Sequence, residues 1–238
     1  MFSDDQLVIL DADGTVIDAF AAIATTFSQH GMNLGDLERF QKRHNLFKYL
    51  GGAKEFPSNL KRQLSSARRS ALLRTLTEVY REQARLYPGM GEMIGRLLDT
   101  PGVRLGLVTR NITNDPQQTL KALFKREGVA VERFDFLIHL PLKQSKLASF
   151  EQVRRRFAIN PARGFVCGDE HKDFRAAVGA GLHPLIVSYG FENRQRLTGK
   201  FEVPEAVICA TPAALSDRLC HALGLPVASP ADIDSLSA

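Results

Sequence analysis

The sequence predicts an α/β protein: a doubly wound, Rossmann-like parallel sheet with an inserted α-helical cap. Three observations predict it. Short, β-branched apolar runs recur, and each ends on a polar or acidic residue; helical patterns separate them; and one long helical stretch, 16–87, interrupts the alternation early in the chain. Short bounded apolar runs read as strands buried on both faces. Strand–helix alternation implies crossover connections that place helices against the sheet. In sheets of this kind ligands bind beyond the carboxyl ends of the strands.

The first strand, 7–10, runs into Asp11. The interrupting stretch follows, with helices expected at 19–30, 35–43 and 65–86 and the pair Gly51-Gly52 in its middle. It joins the rest through Gly14-Thr15 and Pro88-Gly89, which assigns 16–87 to the cap and 1–15 plus 88–224 to the core. In the core a helix is expected at 89–99, a strand at 103–108 running into Thr109, a helix at 116–127 and a weaker strand at 134–137. Next come a helix at 146–158, a strand at 164–167 leading into Gly168-Asp169, and a helix at 171–180. Strands at 185–187 and 206–209 and a helix at 212–223 complete it. Gly102 and Gly181 are the expected helix-stop signals. Residues 225–238, rich in Pro, Ser, Ala and Asp, are expected to form a flexible tail. Asp11, Thr109 and Asp169 then share one crevice.

A chain of 238 residues is long enough for one such domain with an insertion. With 44% apolar and 24% charged residues, wholesale disorder is excluded. Three cysteines without paired spacing exclude a disulfide framework and a four-thiolate zinc site, and they fit a reducing cytoplasm. The segment MFSDDQLVIL has two acids and no basic region, so no secretory signal is expected. No apolar run approaches the roughly 18 residues that span a bilayer, so no membrane partner is expected. The net charge of +5 is concentrated: residues 16–86 hold 12 Lys/Arg against 6 Asp/Glu. Such a field suits an anionic ligand, although a solvated basic helical face is the plain alternative. Without an aromatic-rich basic stripe, zinc finger or helix-turn-helix pattern, no nucleic-acid partner is expected. The sequence carries no sign of the oligomeric state.

Asp11-Ala12-Asp13-Gly14-Thr15 sets two carboxylates two positions apart at a strand end, before a glycine that permits a sharp turn. One carboxylate can attack while the other gives and takes a proton. A hairpin Asp-Gly turn is the structural alternative. Gly168-Asp169-Glu170-His171-Lys172-Asp173 adds two acids four residues apart where a strand enters a helix. Beside Asp11 they would repel one another unless a cation sat among them, and Mg²⁺, which prefers oxygen ligands, suits that need. A helix N-cap for Asp169 and an exposed first-turn acid for Asp173 are the plainer readings. Lys146 opens a helical pattern 23 residues before Asp169, with Lys143 an alternative. A cation there balances a carboxylate and a phosphate dianion. The Thr109 hydroxyl can bond a phosphoryl oxygen, helped by the backbone N–H groups of Arg110 and Asn111.

Taken in order, these segments closely resemble the haloacid dehalogenase-like hydrolase superfamily, phosphatase type with a helical cap after the first motif, phosphoglycolate phosphatase-like. LVILDADGTVID resembles its first motif, LGLVTRN its second, Lys146 its third and CGDEHKDFRAAVGAG its fourth, while Leu86-Tyr87-Pro88-Gly89-Met90 resembles the return from the cap. The resemblance implies a Mg²⁺-dependent phosphatase acting on a small phosphorylated metabolite. Asp11 would be the nucleophile, forming an aspartyl-phosphate, and Asp13 the acid and base; Thr109 and Lys146 would hold the phosphoryl group. Mg²⁺ would be bound by Asp11, the main-chain carbonyl of Asp13 and Asp169, with Asp173 either touching the metal or standing directly behind its ligands. Two positions depart from the family pattern: Glu170, which could join the metal shell, and Arg110 after Thr109. A candidate specificity loop, 43–52, includes Arg43 and Lys48 for substrate binding, with Lys54 close by. The alternatives are a sugar-phosphate mutase, a phosphonate hydrolase using a cap lysine such as Lys48 or Lys54, and a non-catalytic phosphate-binding protein. Dehalogenation is disfavoured, because Asp13 is an acid–base group that chemistry does not need.

Overall fold

The structure, a computed structural model, describes residues 1–32 and 66–226. Arg43, Lys48, Lys54 and the helix expected at 35–43 lie outside the described residues, as does the tail beyond 226. The strands are β1 (Gln6–Leu10), β2 (Val103–Thr109), β3 (Phe136–His139), β4 (Gly164–Gly168), β5 (His183–Val187) and β6 (Ile208–Cys209). The described helices are α1 (Ala19–Gln29), α2 (Ser66–Glu82), α3 (Met90–Asp99), α4 (Pro116–Arg126), α5 (Leu147–Arg156), α6 (His171–Gly179), α7 (Arg194–Phe201) and α8 (Pro212–Ala222).

All six strands pair in parallel, in the order β3-β2-β1-β4-β5-β6. The chain builds outward from β1 through β2 to β3, then returns to lay β4 on the other side of β1. The switch point therefore lies between β1 and β4, where a doubly wound sheet opens a crevice for ligands. Strand β1 shows why its sequence reads as buried: Leu7, Val8, Ile9 and Leu10 are all essentially inaccessible. Val8 and Leu10 face one helical layer, with α1 to α4 and α8, whereas Leu7 and Ile9 face the other, with Phe150, Val153 and Ala177. This alternation is the two-residue period of a strand.

Three elements differ from expectation. The strand expected at 134–137 lies at Phe136–His139, because Phe134 closes a 3₁₀ turn by donating its N–H to Val131 O. Of 206–209 only Ile208–Cys209 pairs, since Glu205–Val207 forms another 3₁₀ turn. Helix α7 was not expected at all. Its sequence RQRLTGKF buries only Leu197, so it lacks the apolar stripe that marks a helix. Asn193 caps it, accepting the N–H of Arg196 at 2.9 Å.

The two helices described within 16–87 pack on each other, and α2 also packs against α4. Where the chain enters and leaves this stretch, Ile17 bridges Leu86 in antiparallel fashion, and Asp18 N donates to Arg85 O and Tyr87 N to Val16 O, each at 2.9 Å. No helix among the described residues is long and apolar enough to cross a membrane.

Candidate active site

The site begins where β1 ends. Asp11 continues the ladder by donating its N–H to Cys167 O at 2.9 Å, and its carboxylate points into the switch-point crevice. The turn that follows depends on Gly14, whose φ of +77° lies in the left-handed region. A Cβ there would also stand 2.9 Å from Asp169 Cγ, so the position demands glycine twice over.

Strand β4 delivers Asp169 next to β1, and α6 starts two residues later. Glu170, not Asp169, occupies the N-cap of α6. Asp169 instead accepts the Phe191 N–H on Oδ2 at 2.6 Å, while its Oδ1 is buried with no hydrogen-bond partner. Asp173, in the first turn of α6, is 1% exposed. Its Oδ2 accepts the Glu170 N–H at 3.2 Å and its Oδ1 lies 2.8 Å from Lys146 Nζ. The same ammonium stands 2.6 Å from Asp11 Oδ2. Lys146, at the N-cap of α5, is thus the lysine of the site, and Lys143 is exposed. Glu170 pairs with Arg110 at 2.5 Å and is not among the three carboxylates that converge.

Thr109 closes β2 fully buried, and its Oγ1 accepts the Asn111 N–H at 3.2 Å, which leaves the hydroxyl hydrogen to donate. The Asn111 side chain turns to Asp13, with Nδ2 3.1 Å from Oδ1 and 3.0 Å from Oδ2. Tyr80, from α2, donates its hydroxyl to the same Oδ1 at 2.8 Å. Asp13 is thus held by Tyr80 of the inserted segment and by Asn111, and it is not one of the three carboxylates that converge. Sequence reasoning missed these two side-chain donors. Tyr80 sits on an amphipathic helix 67 positions from Asp13 and reads as ordinary core, so no local signal marks it.

The electrostatics follow from burial. Burial pushes the Asp11 carboxyl up to about 6, with Lys146 pulling it down and the charge of Asp173 adding to the rise. Burial, then the charge of Asp11, lifts Asp13 to about 7, against the donors Tyr80 and Asn111. Asp169 is driven well above the usual carboxylate range, first by burial and then by Asp11. Burial works against a charge on Lys146, yet Asp11 and Asp173 hold its pKa above that of an ordinary lysine. One oxygen from each of Asp11, Asp169 and Asp173 lies within 4.8 Å of the others. Four carboxylates, counting Glu170, face two cations here, and an excess of buried negative charge invites a metal ion. The unpartnered Asp169 Oδ1 and the all-oxygen donor set fit a hard divalent cation.

The fold and this crevice define an α/β enzyme with a carboxylate-rich, cation-accepting centre at its topological switch point. Comparisons with known proteins narrow the class. The family model of haloacid dehalogenase-like hydrolases matches residues 6–181, and the chain belongs to that family. It is similar to the phosphoglycolate phosphatase of Nitrosospira multiformis, with 27% identity over 197 residues covering 78% of this chain and 84% of that protein. The phosphoglycolate phosphatase of Nitrosococcus oceani is 24% identical over 211 residues, covering 81% of this chain and 88% of that protein. Among solved structures, the conserved haloacid dehalogenase-like protein ATU0790 from Agrobacterium tumefaciens superposes with a TM-score of 0.63 at 14% identity. That match covers 98% of this chain and 100% of the other, and it attests the fold.

Proposed function

We propose that this hydrolase is a Mg²⁺-dependent phosphatase that releases phosphate from a small phosphorylated metabolite through an aspartyl-phosphate on Asp11. The observation that carries the reading is the meeting of Asp11, Lys146, Asp169 and Asp173 in one buried group, with Asp13 two residues from Asp11. In this reading 16–87 is a cap on a core of 1–15 and 88–224, hinged where Ile17 bridges Leu86. Three buried free cysteines accord with a reducing cytoplasm.

Asp11, Asp169, Asp173 and the main-chain carbonyl of Asp13 would hold the cation. When bound, Mg²⁺ draws negative charge from the phosphoryl oxygens and eases the approach of an anionic nucleophile. The chain's own residues do the rest. The Ala12 N–H on Oδ1 at 2.8 Å and Lys146 on Oδ2 fix the plane of the Asp11 carboxylate. Asp11 oxygen bonds to phosphorus as the ester P–O bond breaks, and its electron pair goes to the leaving oxygen. Protonated Asp13 gives that oxygen its proton, and its raised pKa keeps the proton available near neutrality. The Thr109 hydroxyl and Lys146 steady the transferring group. Asp13 then takes a proton from water; the water oxygen bonds to phosphorus, the Asp11 O–P bond breaks, and phosphate leaves.

The substrate class follows the named activity of the relatives, so phosphoglycolate is the first metabolite to test beside p-nitrophenyl phosphate. The experiment compares wild type with Asp11→Asn, with and without Mg²⁺. Metal-dependent release of phosphate that disappears in the variant is expected. Turnover surviving in Asp11→Asn removes the aspartyl-phosphate step, and a wild type inert to every ester favours the mutase, phosphonate or binding alternatives.

A further inference from the structure

We infer that Tyr80, carried by the inserted segment, is a positioning residue for Asp13, with Asn111 as its fellow donor; the inference rests on the phosphatase reading. All three side chains are buried, Asp13 at 5% exposed, Asn111 at 2% and Tyr80 at 1%. The rotation of an aspartate carboxyl about its last bond is soft, so a lone Asp13 would sweep a wide arc. Two donors remove that freedom. Oδ1 accepts both the Tyr80 hydroxyl at 2.8 Å and the Asn111 amide at 3.1 Å, whereas Oδ2 meets only the amide, at 3.0 Å. A proton on Oδ1 would point into donors already there, so the transferable proton belongs on Oδ2. Tyr80 and Asn111 thereby decide which oxygen does the proton transfer and where it stands.

Tyr80 is itself held. On α2, Thr77 Oγ1 accepts the Asn114 N–H at 3.0 Å and Arg81 Nε donates to Thr119 Oγ1 at 3.2 Å. At the end of α2, the Arg126 guanidinium donates to the carbonyls of Tyr80 and Arg81, which the helix terminus leaves without internal partners, and to that of Ala84 just beyond it. These contacts hold α2 on α4, and with it the buried Tyr80 ring against Asp13. The inserted segment thus furnishes part of the proton-transfer apparatus, beyond covering the site.

The test is the dependence of kcat/KM on the leaving group, because kcat/KM reports the steps up to departure of the alcohol. p-Nitrophenolate departs without a proton; phenolate needs one. Tyr80→Phe keeps the ring and removes the hydroxyl. It is expected to lower kcat/KM about ten-fold on phenyl phosphate and no more than about two-fold on p-nitrophenyl phosphate. In an Asp13→Asn background, adding Tyr80→Phe should change phenyl phosphate turnover by less than about two-fold, since the two residues act as one unit. Equal losses on both esters, no loss on either, or additive losses in the double variant overturn the inference and leave Tyr80 a core residue. A wild type inert to both aryl esters and to phosphoglycolate overturns the phosphatase reading itself, and the inference falls with it.

Discussion

Replacing Lys146 by methionine tests whether the ammonium is the counter-charge that lets buried carboxylates coexist. Lys146 is 3% exposed and lies 2.6 Å from Asp11 and 2.8 Å from Asp173, so the variant strands two carboxylates in a nearly dry site. Breaking a buried ion pair by removing one partner costs about 3–5 kcal/mol. For a chain of this size each kcal/mol moves Tm by about 2–4 °C, so metal-free Lys146→Met should melt roughly 6–20 °C lower at pH 8. The sign of the pH dependence follows from Asp11. Its pKa is about 6 in the fold against an ordinary 3.8, and Lys146 is what restrains it, so the variant's value is higher still. A carboxyl whose pKa is raised by folding favours the fold most below its unfolded value and loses that contribution as pH climbs through the folded one. The Tm deficit should therefore be smaller at pH 5, by about half, and widen towards pH 8. Added Mg²⁺ should recover part of it at pH 8, where the carboxylates are free to bind. Scanning calorimetry of both proteins at the two pH values is the assay; equal deficits at pH 5 and pH 8 would refute the electrostatic account.

Other perturbations follow from the same geometry. Asp169→Asn keeps the oxygen that accepts the Phe191 N–H but removes a charge from the metal group; it should raise the Mg²⁺ concentration for half-maximal activity at least ten-fold, and an unchanged Mg²⁺ titration would show that Asp169 holds no cation. Gly14→Ala forces a side chain into a left-handed turn against Asp169, so it should cost about 1–3 kcal/mol in urea unfolding and weaken Mg²⁺ binding together; an unchanged midpoint would mean that the turn relaxes freely. For the wild type, kcat/KM on phenyl phosphate should fall as pH rises past about 7, where Asp13 loses the proton that the proposed reaction takes from it, and that alkaline limb should vanish in Asp13→Asn. A limb retained in the variant would assign the proton to another group.

Strand and helix positions in the core were legible because burial imposes local periods on the sequence. Gln6–Leu10, Val103–Thr109 and Gly164–Gly168 are short and mostly apolar, and Asp11, Thr109 and Asp169 follow or close them. That placement, with the order of the segments, identified the family and brought the acids to one crevice. Helix α7 escaped notice because it repeats no apolar period long enough to register, and the strand expected at 206–209 is shorter than its apolar run because Glu205–Val207 turns instead. The choice of Lys146 over Lys143, the pairing of Glu170 with Arg110 and the grip of Tyr80 and Asn111 on Asp13 depended on the tertiary structure alone. Periodicity reports neighbours two, three or four positions apart. Which side chains meet across tens of residues is set by strand order and by how α2 seats on α4, and those are properties of packing in three dimensions.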